Sequence, residues 1–200
     1  MSNLEKEMIT NTTRRFWFLL LSSFAFLVRY RYFKKWFWLP LVLLILGFVI
    51  PQNMIIPVQG AATNDWTKDS FWAYPWGSSI THKGIDIFAE KGTPVIASTN
   101  GIVIYTSEGG KGGKSVMVLG PKWRFHYYAH LNEIQTFPLK PFKRGTILGT
   151  VGDTGNAKGK PAHLHYAITT PFPYFNLKDN EAVQGWKKMF YLNPDRWLRP

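Results

Sequence analysis

The five histidines of this 200-residue chain, His82, His126, His130, His163 and His165, all fall after residue 80, and two stand one residue apart in "PAHLHYAI". Residues two apart on an extended strand point to one face, so His163 and His165 share a side while Leu164 and Tyr166 pack on the other. The same geometry on "THKGIDIFAEKGTPV" sets His82, Gly84 and Asp86 along one side, with Ile85 and Ile87 toward a core. Gly84 leaves room between the imidazole and the carboxylate. Each pattern alone has a bland reading: a surface histidine before a turn aspartate, or two core histidines satisfied by carbonyls. Together, His82, Asp86 and one member of the pair supply three ligands of the kind Zn²⁺ takes. A fourth position stays open, which marks a catalytic rather than a structural site. Metal-promoted hydrolysis also needs a proton acceptor and a donor to the oxyanion. His130, in "YYAHL", and the other member of the pair suit those roles. His126 shares the face of His130 on a strand, so spacing does not separate the two.

Strands must position these groups, and the sequence from residue 63 to 200 reads as an all-β domain. Short runs rich in Val, Ile and aromatic residues alternate with Gly, Pro and Asn punctuation. They are "GIDIFA", "TPVIAST", "GIVIYTS", "KSVMVLG", "RFHYYAHL", "TILGTVG" and "AHLHYAI". Only the stretch around Glu181–Phe190 suggests a helix. "SEGGKGGKS" reads as a hairpin loop. A phosphate-binding loop fails there by counting, because Glu108 stands where the first glycine is needed and a strand follows instead of a helix. The chain has no cysteine, which excludes disulfides, thiolate zinc sites and cysteine nucleophiles.

The first 35 residues form a basic arm. Residues 1–38 carry seven Lys or Arg against two Glu, and the rest of the chain holds the larger part of the +12 net charge. From Trp36 to Val58 the chain is nearly uncharged and has about the length that crosses a bilayer. The earlier run Phe16 to Val28 is shorter and reads as a membrane-surface segment or one arm of a hairpin. With Arg14, Arg15, Arg29, Arg31, Lys34 and Lys35 before the span and no Lys or Arg after it until Lys68, the positive-inside rule keeps the N-terminus cytoplasmic. A single-pass anchor over 36–58 in the inner membrane then delivers residues 63–200 to the periplasmic, cell-wall side. The alternative, a cleaved signal peptide ending near Gly60, carries an unusually long basic arm and is interrupted by Pro51 and Pro57. The basic charge suits an anionic wall and membrane surface. Nucleic acid is not expected as a partner, since no recognition helix, RNA-binding signature or localised basic stripe is present.

"HKGIDI", "YYAHL" and "AHLHY", in that order, resemble the LytM/lysostaphin-type zinc metallopeptidases, which cut peptide bonds in peptidoglycan. The connecting text "KGTPVIASTNGIVIYTSEGG" and "KRGTILGTVGDTGNAKGKPAHLH" is similar too, as is the closing "YLNPDRWL". The resemblance runs from about residue 72 to 198. It implies a compact antiparallel β-sheet or sandwich domain with a narrow groove. It further implies His82, Asp86 and His165 as zinc ligands, with His130 and His163 as catalytic histidines beside the metal. His126 matches no family position and is expected on the groove wall or surface. Tyr128 is expected to flank the groove as an aromatic wall, and Asn156 to shape the loop over it. "YPWGSSITHKG" is shorter than the family's Phe-Gly-x-Arg segment and lacks its arginine. Tyr166-Ala167 replaces the usual Phe-Glu. Relatives that have lost activity and regulate other wall hydrolases have typically lost ligands, whereas this chain keeps the full set. The expected function is a zinc-dependent endopeptidase that hydrolyses peptide cross-links or stem peptides of peptidoglycan with metal-activated water. The alternative is a non-catalytic module that binds the wall, or regulates a hydrolase, through the same groove.

Overall fold

In the computed structural model, which describes residues 36–199, each run read above as a strand is one. They are β1 (Ile85–Phe88), β2 (Pro94–Ile96), β3 (Gly101–Glu108), β4 (Lys114–Leu119), β5 (Phe125–Leu131), β8 (Ile147–Thr150) and β9 (His163–Thr169). Three two-residue strands, β6 (Glu133–Ile134), β7 (Pro141–Phe142) and β10 (Tyr191–Leu192), are too short to leave an alternation in the sequence. The larger sheet has the order β1-β9-β5-β4-β3-β7 with β10 also paired to β9, and the smaller has β2-β8-β6. All pairings are antiparallel.

Alternation assigns the faces of the larger sheet. Ile85 pairs with Tyr166 and Ile87 with Leu164, and Tyr166 also stands opposite Tyr128 on β5. These five residues are fully buried and join Val95, Val116, Val118, Leu131, Leu148 and Ile168 in one core. The other face carries Asp86 opposite His165, and His165 opposite Ala129. The polar residues two apart thus fall on one face because their apolar neighbours fill the core. The expected helix around 181–190 is a 3₁₀ helix over Gly185–Phe190, and a short helix closes the domain at Asp195–Leu198.

The expected anchor over 36–58 is helical only over 36–49. Pro51 cannot extend a helix and pushes the residue before it out of helical geometry. Beyond it the chain runs along β2. Ile55 N–H donates to Ser98 O (3.0 Å), Ile96 N–H to Pro57 O (2.9 Å) and Gln59 N–H to Pro94 O (3.0 Å). Val58 bridges Val95 and is 2% exposed in the core. The β domain therefore starts earlier than residue 63, its compact unit beginning at Phe48. Among the described residues no helix is long and apolar enough to cross a membrane. The basic arm and the run at 16–28 lie outside the described residues.

Candidate active site

Register brings the first two groups together, since Asp86 on β1 stands directly opposite His165 on β9. His82 reaches them from just before β1, where its backbone N–H donates to Ala73 O at 3.0 Å. His165 Nδ1 lies 2.8 Å from Asp86 Oδ1, and His82 Nε2 lies 3.1 Å from the same oxygen and 3.2 Å from His165 Nδ1. One ligand atom from each residue falls within 4.8 Å of the other two. Gly84 permits this approach: a Cβ there would meet Tyr166 O at 2.5 Å and the His165 ring at 3.0 Å.

The ring orientations bear on what this cluster can hold. His82 Nδ1 lies 2.8 Å from Ser70 O, and a carbonyl only accepts, so Nδ1 carries the proton. With that single proton on the ring, the lone pair of Nε2 faces the Asp86 carboxylate and His165 Nδ1. Electron pairs turned on one another at such distances suit a positive centre between them, a shared proton or a metal ion. Two imidazoles and a carboxylate form a donor set that zinc accepts. Burial alone would raise the Asp86 carboxyl, but the neighbouring imidazoles of His165 and His82 outweigh it and hold the group well below the usual carboxylate range. Trp76 stacks on His82 with ring centroids 4.1 Å apart and so fixes the plane of that ring.

Two further imidazoles border the cluster. His163 Nδ1 donates to Pro161 O and His130 Nδ1 to Thr154 O, each at 2.8 Å, which leaves both Nε2 atoms as acceptors. His163 Nε2 is 3.9 Å from Asp86 Oδ2, and the His130 ring lies 5.1 Å from that of His163 and 5.9 Å from that of His165. Burial, with the His165 and His163 rings, pushes His130 down to about 4, so it is neutral at neutral pH. His130 reaches this position through a bulge. The β4–β5 register shifts between Lys114 and Val116, and His130 has φ +65°. Strict alternation would have put it with Tyr128 in the core; the bulge turns it toward the face of Tyr127 and Ala129.

The four grouped histidine and aspartate positions, His82, Asp86, His163 and His165, together with His130, line one open cavity of about 540 Å³. Asn156 lines it as well, with its backbone N–H on Lys111 O at 2.9 Å. Two expected groove residues do not. Tyr128 is fully buried, and its Oη accepts from Ser98 N–H at 3.0 Å. His126 is also fully buried, with Nδ1 2.6 Å from Tyr166 Oη and Nε2 2.9 Å from Gln52 Nε2. The aromatic wall is instead Tyr127, one residue away and on the opposite face, together with Trp76. Gly112 makes room for that ring, because a Cβ there would fall 2.0 Å from Tyr127 Oη. Lys83, Lys111 and Lys160 also line the cavity, and no motif in the sequence had drawn them together.

An antiparallel β domain with this cluster in an open groove defines a peptidase domain of the lysostaphin and LytM type. The sequence profile of peptidase family M23 matches residues 80–182, and the chain belongs to that family. It is 33% identical over 146 residues to the L-Ala--D-Glu endopeptidase of Bacillus subtilis, covering 68% of this chain and 41% of that protein. It is 32% identical over 87 residues to the peptidoglycan DD-endopeptidase ShyA of Vibrio cholerae, covering 44% of this chain and 20% of that one. The chain therefore spans less than half the length of either relative. The catalytic domain of lysostaphin from Staphylococcus simulans shares the fold, with a TM-score of 0.54 at 23% identity over 68% of this chain and 95% of that domain.

Proposed function

We propose that this chain is a zinc-dependent endopeptidase that hydrolyses peptide cross-links or stem peptides of bacterial peptidoglycan. The observation that carries the reading is the convergence of His82 Nε2, Asp86 Oδ1 and His165 Nδ1, with the His130 and His163 rings beside them. His82, Asp86 and His165 would hold the zinc, which supplies Lewis-acid polarisation of the scissile carbonyl and activation of water. His130 and His163 then move the protons. A neutral imidazole accepts the proton of the attacking water at Nε2 as the C–O bond forms. The resulting imidazolium returns it to the departing amine as the C–N bond breaks. The second imidazole donates a hydrogen bond to the developing oxyanion when protonated. The names of the two relatives, an L-Ala--D-Glu endopeptidase and a peptidoglycan DD-endopeptidase, support wall peptides as the substrate class.

The same proposal places the protein at the inner membrane, with the β domain on the wall side. Its support is the basic, apolar N-terminal sequence and the mostly exposed apolar side chains of the helix over 36–49. On this reading the membrane segment ends before Ile55, since residues 55–58 pair with the β domain. Metal analysis of the purified full chain, with chromatography of fragments released from isolated walls, tests the catalytic reading. The expected result is one zinc per chain and new peptide termini. A zinc-free protein, or a zinc-loaded one that binds walls without cutting them, leaves the non-catalytic module as the answer.

A further inference from the structure

The metal-ligand cluster uses the one carboxylate that the described residues bring to the groove but leaves the cations there unexplained. Lys83, Lys111 and Lys160 come from three separate segments and line the same cavity, whose one acidic residue is Asp86. That carboxylate is already surrounded by His82, His163 and His165. Among the described residues none of the three lysines has a carboxylate partner, whereas Lys91 pairs with Asp153 at 2.8 Å and Lys188 with Asp179 at 2.7 Å. Lys83 is half-buried, and its Nζ is fixed by Ser79 O at 2.8 Å, Thr81 O at 3.3 Å and Thr81 Oγ1 at 3.1 Å. Lys111 Nζ reaches Ser78 O at 3.4 Å, on the same wall. Like charges gathered without counter-ions lose free energy that an anionic ligand recovers. The apolar remainder of the lining, with Trp76, Phe88, Tyr127 and Ala129, suits a peptide better than a phosphate polymer.

Resting on the peptidase reading of this groove, we infer that Lys83, Lys111 and Lys160 form a carboxylate-recognising rim. The protein therefore selects peptides bearing free carboxylates near the scissile bond over the same peptides carrying carboxamides. Lys83 supplies a fixed charge, and Lys111 and Lys160, both exposed, supply the ammonium groups at the rim that pair with the ligand.

The test uses the zinc-loaded full chain in detergent and two uncleavable ketomethylene isosteres. One is Ala-Glu-Ala-Ala with free carboxylates, and the other is Ala-Gln-Ala-Ala with a C-terminal amide. Titration calorimetry should show the carboxylate form binding about tenfold tighter at low salt. The gap should narrow as ionic strength rises from about 0.05 M to about 0.5 M. In the double variant K111Q/K160Q it should shrink to about twofold. These two exposed positions keep the test decisive even if Lys83→Met fails to fold. Equal affinities for the two isosteres, or a preference unchanged in K111Q/K160Q, overturns the inference. Cleavage of the parent free-carboxylate peptide by the unaltered protein reports the peptidase reading separately. Discrimination without cleavage keeps the rim and removes the peptidase, and cleavage without discrimination does the reverse.

Discussion

Three imidazoles enter the cavity by the same device, each committing its Nδ1–H to a backbone carbonyl: His82 to Ser70, His130 to Thr154 and His163 to Pro161. A carbonyl cannot donate, so each ring is locked with its lone pair on Nε2. What that lone pair faces then separates the roles. At His82 it faces a carboxylate and another imidazole, a place for a cation. At His130 it faces the groove, a place for a proton. His130→Ala is therefore expected to lower peptide hydrolysis by about 10²–10⁴-fold with zinc content unchanged. His82→Ala is expected to lose the metal and the activity together. Metal analysis beside a peptide-cleavage assay checks both. Zinc lost from His130→Ala would make that residue a ligand rather than a proton carrier.

The carbonyl that orients His130 is itself held by an unusual meeting of two turns. The β3–β4 hairpin carries Gly113 at φ +59°, and the turn before β9 carries Gly155 at φ +68°. A Cβ on Gly155 would come within 2.4 Å of Gly113 N and Lys111 O, and one on Gly113 within 2.4 Å of Gly155 N. Thr154 locks the crossing, since its Oγ1 accepts from Lys114 N–H and donates to Leu131 O, both at 2.9 Å. Gly155→Ala must push the turns apart and shift Thr154 O. A displacement of about 1 Å costs on the order of 10²-fold in rate. Steady-state kinetics on Gly155→Ala should show that loss with zinc retained, because the ligands ride on β1, β9 and the segment before β1. Gly159→Ala is the control: its φ is +79° but nothing lies within 4 Å of the added carbon. It should lower stability by about 1–2 kcal/mol and spare the rate. This crossing was not legible in the sequence, where "SEGGKGGKS" reads only as a loop. Long alternating strands were legible, because burial of Ile85, Ile87, Leu164 and Tyr166 dictates the face of Asp86, His163 and His165. The phase of β5 was not. Alternation groups His126 with His130, and the bulge at His130 leaves His126 and Tyr128 in the core while Tyr127 faces the groove. A bulge changes the face of a side chain without changing its place in the sequence.

Across the whole β domain the groove and the chain's point of entry lie at opposite ends of the larger sheet. His130 and His163 stand at the end of β5 and the start of β9, whereas Lys122 Nζ, just before β5, donates to Phe48 O at 2.9 Å. Between them a buried polar chain ties the entering segment to β9. Arg124 Nη1 donates to Gln52 Oε1, so Gln52 Nε2 donates to His126 Nε2 at 2.9 Å, and His126 Nδ1–H donates to Tyr166 Oη at 2.6 Å. That arrangement requires a neutral ring, since a second proton on Nε2 would oppose the Gln52 amide. Burial, with Arg124 nearby, pushes His126 down to about 3 from an ordinary 6.5. The unfolded chain takes this proton near pH 6.5 and the folded protein resists it. Stability from His126 is thus complete above about pH 6.5 and falls as the pH drops toward about 3, at up to about 1.4 kcal/mol per pH unit. His130, held down to about 4, acts in the same direction. Urea denaturation between pH 7 and pH 4 should show this decline. His126→Phe should be less stable at pH 7 by about 1–3 kcal/mol, because Gln52 and Tyr166 lose their partner. Its acid slope should be shallower, with the remainder carried by His130 and the carboxylates. Parallel slopes in the two proteins would mean that His126 is not a source of the acid sensitivity, and that the contacts joining Gln52 to Tyr166 tolerate its charge.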